Sequence, residues 1–161
     1  MSDFAIYPIP LSSGTLAIAP IPGRGGRFES DLNTVLRWNP DLVLTMTTSE
    51  ELRHAKAADL PARLQDAGTK WLHLPIPDFG APGGETAANW PSASQTARDI
   101  LNNGGRVLAH CYGGQGRSGM AVMRIMVELG YSPAEALTRI RAVRPRAVET
   151  VEQEKWASHA P

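Results

Sequence analysis

Residues 106–119, RVLAHCYGGQGRSG, constrain the fold more than any other stretch of this chain. A short aliphatic run at residues 106–109 reads as a buried strand, three glycines follow within four residues, and Val122, Ile125, Met126 and Leu129 then take up helical spacing. A strand feeding through a glycine-rich loop directly into a helix is a unit of layered α/β proteins. Two further aliphatic runs, at residues 42–44 and 71–74, read as strands, with weaker candidates at 4–7 and 16–18. Between them the period changes to helical. Ser30 precedes Leu32, Val35 and Leu36; Thr48 with Glu51 forms a capping box ahead of Leu52, and Pro61 is expected to break that segment before Leu64. Ala93, Ala97, Ile100 and Leu101 form a stripe over residues 90–101 that ends at Gly104. Ser132 with Pro133 and Glu135, and Thr150 with Gln153, announce two more helices near the end. The expectation is one α/β domain over residues 1–161, with a central, mostly parallel sheet flanked by helices and a helical cluster from the carboxyl third packed on it.

The chain is 161 residues long, a length one core can serve, and carries no internal repeat. Sixteen basic residues balance sixteen acidic ones, so no long-range field draws the chain to nucleic acid or anionic lipid. Any anion must be held by a local arrangement. The single cysteine, Cys111, cannot build a disulfide framework or a multi-thiolate metal site, and is either a small core residue or a reactive thiol. His54, His73 and His159 show no metal-ligand spacing, so neither a metal nor another cofactor is expected. Asp3, Pro8, Pro10, Pro20 and Pro22 interrupt the first 22 residues, which rules out a signal-peptide pattern there. No apolar run reaches the roughly 18 residues of a membrane span, and a soluble, cytoplasmic, monomeric protein is expected.

Fifteen glycines and thirteen prolines gather largely in three windows, residues 20–26, 75–84 and 104–119. These are shaped loops on a regular scaffold. In the last window a helix N-terminus offers unpaired N–H groups and partial positive charge, and Gly113, Gly114 and Gly116 let successive amides converge on an anion. Cys111 opens this loop, and Arg117 can grip two oxygens of a tetrahedral phosphate with its planar fork. The positive field favours thiolate over thiol and makes Cys111 a candidate nucleophile. A buried cysteine needs no such glycines or arginine beside it.

His110, Cys111, five intervening residues, Arg117 and Ser118 resemble the signature of the cysteine-dependent protein tyrosine and dual-specificity phosphatases. The opening His-Cys-Tyr-Gly-Gly is most similar to the kinase-associated phosphatase group, and LAIAPIPGR, PIPDFGAP, SPAEAL and ETVEQEKW extend the resemblance along most of the chain. The resemblance implies a protein tyrosine phosphatase-like fold and a phosphocysteine route: Cys111 as nucleophile, Arg117 binding phosphate and the transition state, Ser118 assisting the leaving sulfur, and His110 ordering the loop. Tyr112, Gly113, Gly114, Gln115 and Gly116 would complete the phosphate cradle. It implies a phosphorylated protein as substrate and inhibition by oxyanions such as vanadate.

A leaving alkoxide or phenolate needs a proton from a separate loop. Asp78, flanked by Pro75, Pro77, Gly80 and Pro82 just after a strand, is the candidate general acid/base, and the resemblance agrees; an aspartate in such a setting also commonly bonds its own backbone. Glu85 and Asp99 are weaker candidates. Arg24 and Arg27 either meet an anionic substrate or belong to a solvated loop. Met120, Met123 and Met126 read as core behind the phosphate loop. Residues 112–116 carry no cationic side chain, which favours phosphoprotein over phosphoinositide. A small-molecule or lipid phosphoester phosphatase, and a non-catalytic phosphate-binding module, are the alternatives.

Overall fold

The computed structural model describes residues 4–159. Among these residues five strands form one sheet in the order β1-β2-β5-β3-β4, where β1 is Tyr7–Pro10, β2 Thr15–Ala19, β3 Leu42–Thr45, β4 Lys70–His73 and β5 Arg106–His110. Only β1 runs antiparallel to its neighbour; β2, β5, β3 and β4 pair in parallel. The sheet is thus mostly parallel, as the strand-loop-helix pattern predicts. Its inner strands β2, β5 and β3 are buried on both faces, which is why they read as continuous aliphatic runs. Leu42 and Leu44 enter one core while Val43 enters the other, the two-residue period of a strand.

Seven helices among the described residues cover the two faces. α1 Phe28–Trp38, α2 Ser49–His54 and α3 Leu60–Asp66 lie on the Val43 side; α4 Gly84–Asn102, α5 Gly116–Glu128, α6 Pro133–Val143 and α7 Val151–Ala157 close the other. The predicted caps account for several of these starts. Thr48 and Glu51 make a reciprocal capping box at α2, Thr150 and Gln153 make another at α7, and Ser132 accepts the Glu135 N–H at α6. Met120, Met123 and Met126 are buried in the core under α5, as their helical spacing requires.

Four boundaries differ from the sequence reading. The first strand is Tyr7–Pro10 instead of residues 4–7. Pro8 and Pro10, which argue against a strand, are tolerated because β1 is an edge strand and prolines two apart can turn the same, unpaired side outward. Helix α4 begins at Gly84, well before residue 90, and contains Pro91. Tertiary contacts override the breakers there: Thr86 Oγ1 donates to Pro75 O at 2.7 Å, and the Trp90 ring meets Trp156 edge-on at 4.8 Å. Pro61 opens α3 in its first turn, and the break falls in the residues ahead of it. Finally, α5 starts at Gly116, so Arg117 and Ser118 occupy its first turn. That placement brings both side chains to the carboxyl edge of β5, where Cys111 follows the strand.

Candidate active site

Cys111 lies at the junction of β5 and the glycine loop, 2% exposed, with Sγ 3.1 Å from Ser118 Oγ. The loop over it is shaped from behind. Each carbonyl from Cys111 to Gln115 accepts a hydrogen bond from outside the cradle: Cys111 O from His110 Nδ1 at 3.2 Å, Tyr112 O from Ile21 N at 3.1 Å, Gly113 O and Gly114 O from Arg144 Nη2 and Nε at 2.9 Å each, and Gln115 O from Val148 N at 3.2 Å. With the carbonyls tied back, the peptide planes turn their N–H groups the other way. No amide from Tyr112 to Ser118 has a protein acceptor among the described residues, which is the nest an anion needs.

The glycines serve different ends. Gly114 has φ 71°, and a Cβ there would meet Pro20 N at 2.5 Å. Gly116 has ordinary backbone angles, but a Cβ would collide with Glu149 Oε1.

Arg117 is 1% exposed, and its fork is held on three sides. Nη1 donates to Glu51 Oε1 at 2.7 Å and to Ile76 O at 2.9 Å; Nη2 donates to Glu51 Oε2 at 2.8 Å and lies 3.3 Å from Asp78 Oδ1. Its Nε is buried without a protein partner among the described residues, a donor left for an oxyanion. Burial opposes its charge, but the Glu51 hydrogen bonds and the electrostatic influence of Cys111, Glu51 and Asp78 prevail and hold its pKa above the ordinary value. Burial likewise opposes ionisation of Glu51, and there the bonds from Arg117 and Thr48 prevail and hold its carboxyl below the usual range.

His110 is 1% exposed, and burial, the Arg117 charge and His73 push its pKa down to about 4 against the contrary pull of the Cys111 carbonyl. The imidazole is therefore neutral, and its one proton can be placed. A carbonyl only accepts, so Nδ1–H donates to Cys111 O; Nε2 must then accept from the Thr45 hydroxyl at 2.7 Å, whose oxygen accepts the Trp71 indole N–H at 2.7 Å. Three strands, β4, β3 and β5, thus fix the carbonyl next to the nucleophile.

Asp78 follows β4 and faces the same cleft of about 220 Å³ as Cys111, Arg24, Phe79, Gln115 and Glu149. Its Oδ1 accepts the Phe79 N–H at 3.0 Å, so it makes a local turn bond and reaches Arg117 as well. Arg24 stacks on the Tyr112 ring at 5.6 Å and borders the cradle, whereas Arg27 occupies the residue before α1 and does not line the cleft. Glu85 and Asp99 lie on α4 and do not line the cleft. The structure therefore gathers His110, Cys111, Arg117, Ser118 and Asp78 as the sequence predicts. It adds Glu51, Arg144, Glu149 and Gln153. Glu51 and Gln153 carry a sequence signal, but only as capping-box members; Arg144 and Glu149 carry none that the chain order reveals. Among the described residues no cluster of three or more His, Cys, Asp or Glu could hold a metal, and no helix is long and apolar enough to cross a membrane.

Residues 27–131 match the family model described as polymorphic toxin system, DSP-PTPase phosphatase. The chain belongs to this cysteine-dependent dual-specificity/tyrosine phosphatase family. It is 33% identical to cyclin-dependent kinase inhibitor 3 of Mus musculus over 128 residues, 78% of this chain and 59% of that protein. The chain spans little more than half the length of the curated relatives it matches, 52% in the case of the Rattus norvegicus protein. Among solved structures, kinase associated phosphatase superposes with a TM-score of 0.85 at 24% identity, covering 98% of this chain and 93% of that one, a likeness of fold. Tk-PTP in its active form superposes with a TM-score of 0.71 at 30% identity, covering 93% and 92%. The phosphatase fold and the likeness to the kinase-associated group are those the signature implies.

Proposed function

We propose that this chain is a single catalytic domain that hydrolyses phosphomonoesters of proteins, on tyrosine and on serine or threonine, through a phosphocysteine intermediate. The observation that carries the reading is that Cys111, with the Ser118 hydroxyl 3.1 Å from its Sγ, opens a loop whose amides from Tyr112 to Ser118 have no protein acceptor among the described residues and which leads into the helix turn carrying Arg117 with its unpartnered Nε. A phosphoryl group in the nest has its three oxygens neutralised while sulfur attacks from below. In the first step the P–S bond forms, the P–O bond to the substrate breaks, and Asp78 gives its proton to the leaving oxygen. In the second step water attacks phosphorus, the new P–O bond forms as the P–S bond breaks, and the Asp78 carboxylate left by the first step takes the proton of that water, by microscopic reversibility. Ser118 donates to the departing sulfur.

The absence of lysine or arginine at residues 112–116 supports phosphoprotein over multiply phosphorylated lipid as substrate, with Arg24 the cation beside the cradle. Hydrolysis of para-nitrophenyl phosphate in chelator is the test. Turnover blocked by vanadate and abolished in Cys111→Ser is expected; phosphopeptide binding without any turnover would make the domain a recognition module instead.

A further inference from the structure

One arginine at the mouth of the cleft is held in place with its donors empty. Arg24 stacks its guanidinium on the Tyr112 ring at 5.6 Å, lines the cleft with Cys111 and Asp78, and has Nη1 3.5 Å from the position that a Cβ on Gly113 would occupy. Stacking engages the face of a guanidinium and leaves the N–H groups at its edge free to donate in its plane. Among the described residues none of those side-chain donors has an acceptor. No carboxylate pairs with Arg24 either, although Asp78 and Glu149 line the same cleft.

The turn that carries Arg24 is joined to the phosphate loop. Gly114 lets Pro20 approach, since a Cβ there would meet Pro20 N at 2.5 Å, and the fully buried Ile21 donates its N–H to Tyr112 O at 3.1 Å. Gly23, with φ 93°, then turns the chain where a Cβ would meet Ala55 O at 2.5 Å, just past α2, and its N–H donates to the buried Asp31 carboxylate at 2.8 Å. Arg24 follows directly on this anchored stretch and is itself exposed.

A cation so placed has a use that the nest does not supply. The nest takes one phosphate, Arg117 is buried and bound to Glu51, and residues 112–116 add no charge of their own. A positive group fixed at the open rim faces what a substrate carries beside its phosphorylated residue.

We propose that Arg24 is a specificity-determining residue that pairs with a second anionic group, a carboxylate or another phosphate, on a residue flanking the phosphorylated one in a protein substrate. This rests on the phosphoprotein reading above and narrows it to acidic or multiply phosphorylated segments.

The test is a series built on one phosphotyrosine peptide with alanine flanks: glutamate placed at each flanking position in turn, then phosphoserine or lysine at the position glutamate favours most. Glutamate at one position is expected to raise kcat/KM by roughly fivefold, near the upper end for an exposed ion pair, chiefly through KM, and phosphoserine there by more because it carries more charge. The advantage should shrink at high salt. In Arg24→Gln it should vanish, and in Arg24→Glu the preference should turn toward lysine, which a merely solvated arginine would not produce. A flank preference left intact by Arg24→Gln overturns the proposal. Equal losses on glutamate-flanked and alanine-flanked peptides overturn it too, since Arg24 would then reach the phosphate in the nest, and so does an effect of Arg24 confined to short-chain phosphatidylinositol bisphosphate. Fluorescence anisotropy on Cys111→Ser reads the same ranking without turnover. If the wild type hydrolyses no peptide while Cys111→Ser still ranks them by flanking charge, the catalytic reading falls and this one stands; turnover or binding blind to flanking charge sinks this one alone, and peptides neither bound nor hydrolysed sink both.

Discussion

Glu51 meets both terminal nitrogens of Arg117, with Oε1 2.7 Å from Nη1 and Oε2 2.8 Å from Nη2, while the same Oε1 accepts the Thr48 backbone N–H at 3.0 Å. One carboxylate thus starts a helix and aims the phosphate-binding residue. Glu51→Gln keeps the shape and the reach to Thr48 but leaves the buried guanidinium with only the longer and more exposed pairing to Asp78 as counter-charge. A loss of about 1–3 kcal/mol is expected, below the full cost of orphaning a buried ion because Glu51 remains partly open to water. KM for a phosphomonoester should rise and kcat fall. Thr48→Ala is the control: it removes the cap, costs about 1 kcal/mol, and should leave KM unchanged. Urea unfolding with steady-state kinetics on both variants checks this, and equal kinetic damage in both would reduce Glu51 to a capping residue.

Arg144 is the second device of this kind. Its guanidinium holds the Gly113 and Gly114 carbonyls, donates to the Tyr7 hydroxyl at 3.1 Å and stacks on the Tyr7 ring at 4.3 Å. Arg144→Met keeps most of the stem while freeing both carbonyls to turn toward the cradle. Vanadate affinity should weaken about tenfold, equivalent to about 1.4 kcal/mol. Tyr7→Phe removes only the third bond and retains the ring, so vanadate should bind it as tightly as the wild type. Inhibition titrations with Arg144→Met unchanged would mean that the glycine backbone holds the nest without help.

The buried His110 gives stability an acid limb. Its folded pKa of about 4 lies below the ordinary 6.5, so between these values the unfolded chain binds the proton and the folded one does not. Stability is fully present above about pH 6.5 and falls as the pH drops toward 4, by about 3 kcal/mol in all. Glu51, whose carboxyl pKa is also lowered, loses stability in the same direction at still lower pH. Replacing His110 by Asn removes the first contribution alone. Thermal melts at pH 7, 5.5 and 4.5 should show a shallower decline in His110→Asn than in the wild type, and parallel declines would mean that the histidine titrates normally in the fold.

How far the chain order reveals these relationships depends on whether they are local. The loop from Cys111 to Ser118 was legible because nucleophile, nest and arginine are contiguous, and the caps at Thr48, Ser132 and Thr150 because a capping box spans four residues. Asp78 was legible through the prolines and glycines that shape its loop. Arg144 and Glu149 were not, since nothing near Arg144 in sequence says that its fork will end on Gly113 and Gly114, and Glu149 reads as one more charge ahead of a helix. Glu51 and Gln153 each satisfied a local explanation completely. Their second partners, Arg117 and Gly80, are 66 and 73 residues away and become neighbours only when the sheet assembles. The start of α4 was hidden for the opposite reason, because Gly84 and Pro91 argue locally against a helix that Trp90 packing enforces.

Asp78 offers the clearest separation of an acid from a turn residue, because its Oδ1 accepts the N–H of its neighbour Phe79 and also pairs with the Arg117 charge. Asp78→Asn keeps an oxygen for the Phe79 N–H, so loop order should survive. What it loses is the proton. A fall of roughly 10² to 10⁴ in the rate of phosphocysteine formation is expected on an alkyl phosphate, the range general acid catalysis contributes. Para-nitrophenolate leaves as a stable anion and needs little protonation, so its burst should be slowed far less. A loop merely disordered by the substitution would misplace Arg117 through Ile76 O as well, and would harm both substrates alike. Burst measurements on the two substrates, with Phe79→Ala as a variant that perturbs the loop but keeps the carboxyl, therefore decide the role: a selective loss on the alkyl phosphate in Asp78→Asn alone marks the acid, and equal losses in both variants would leave Asp78 a turn residue.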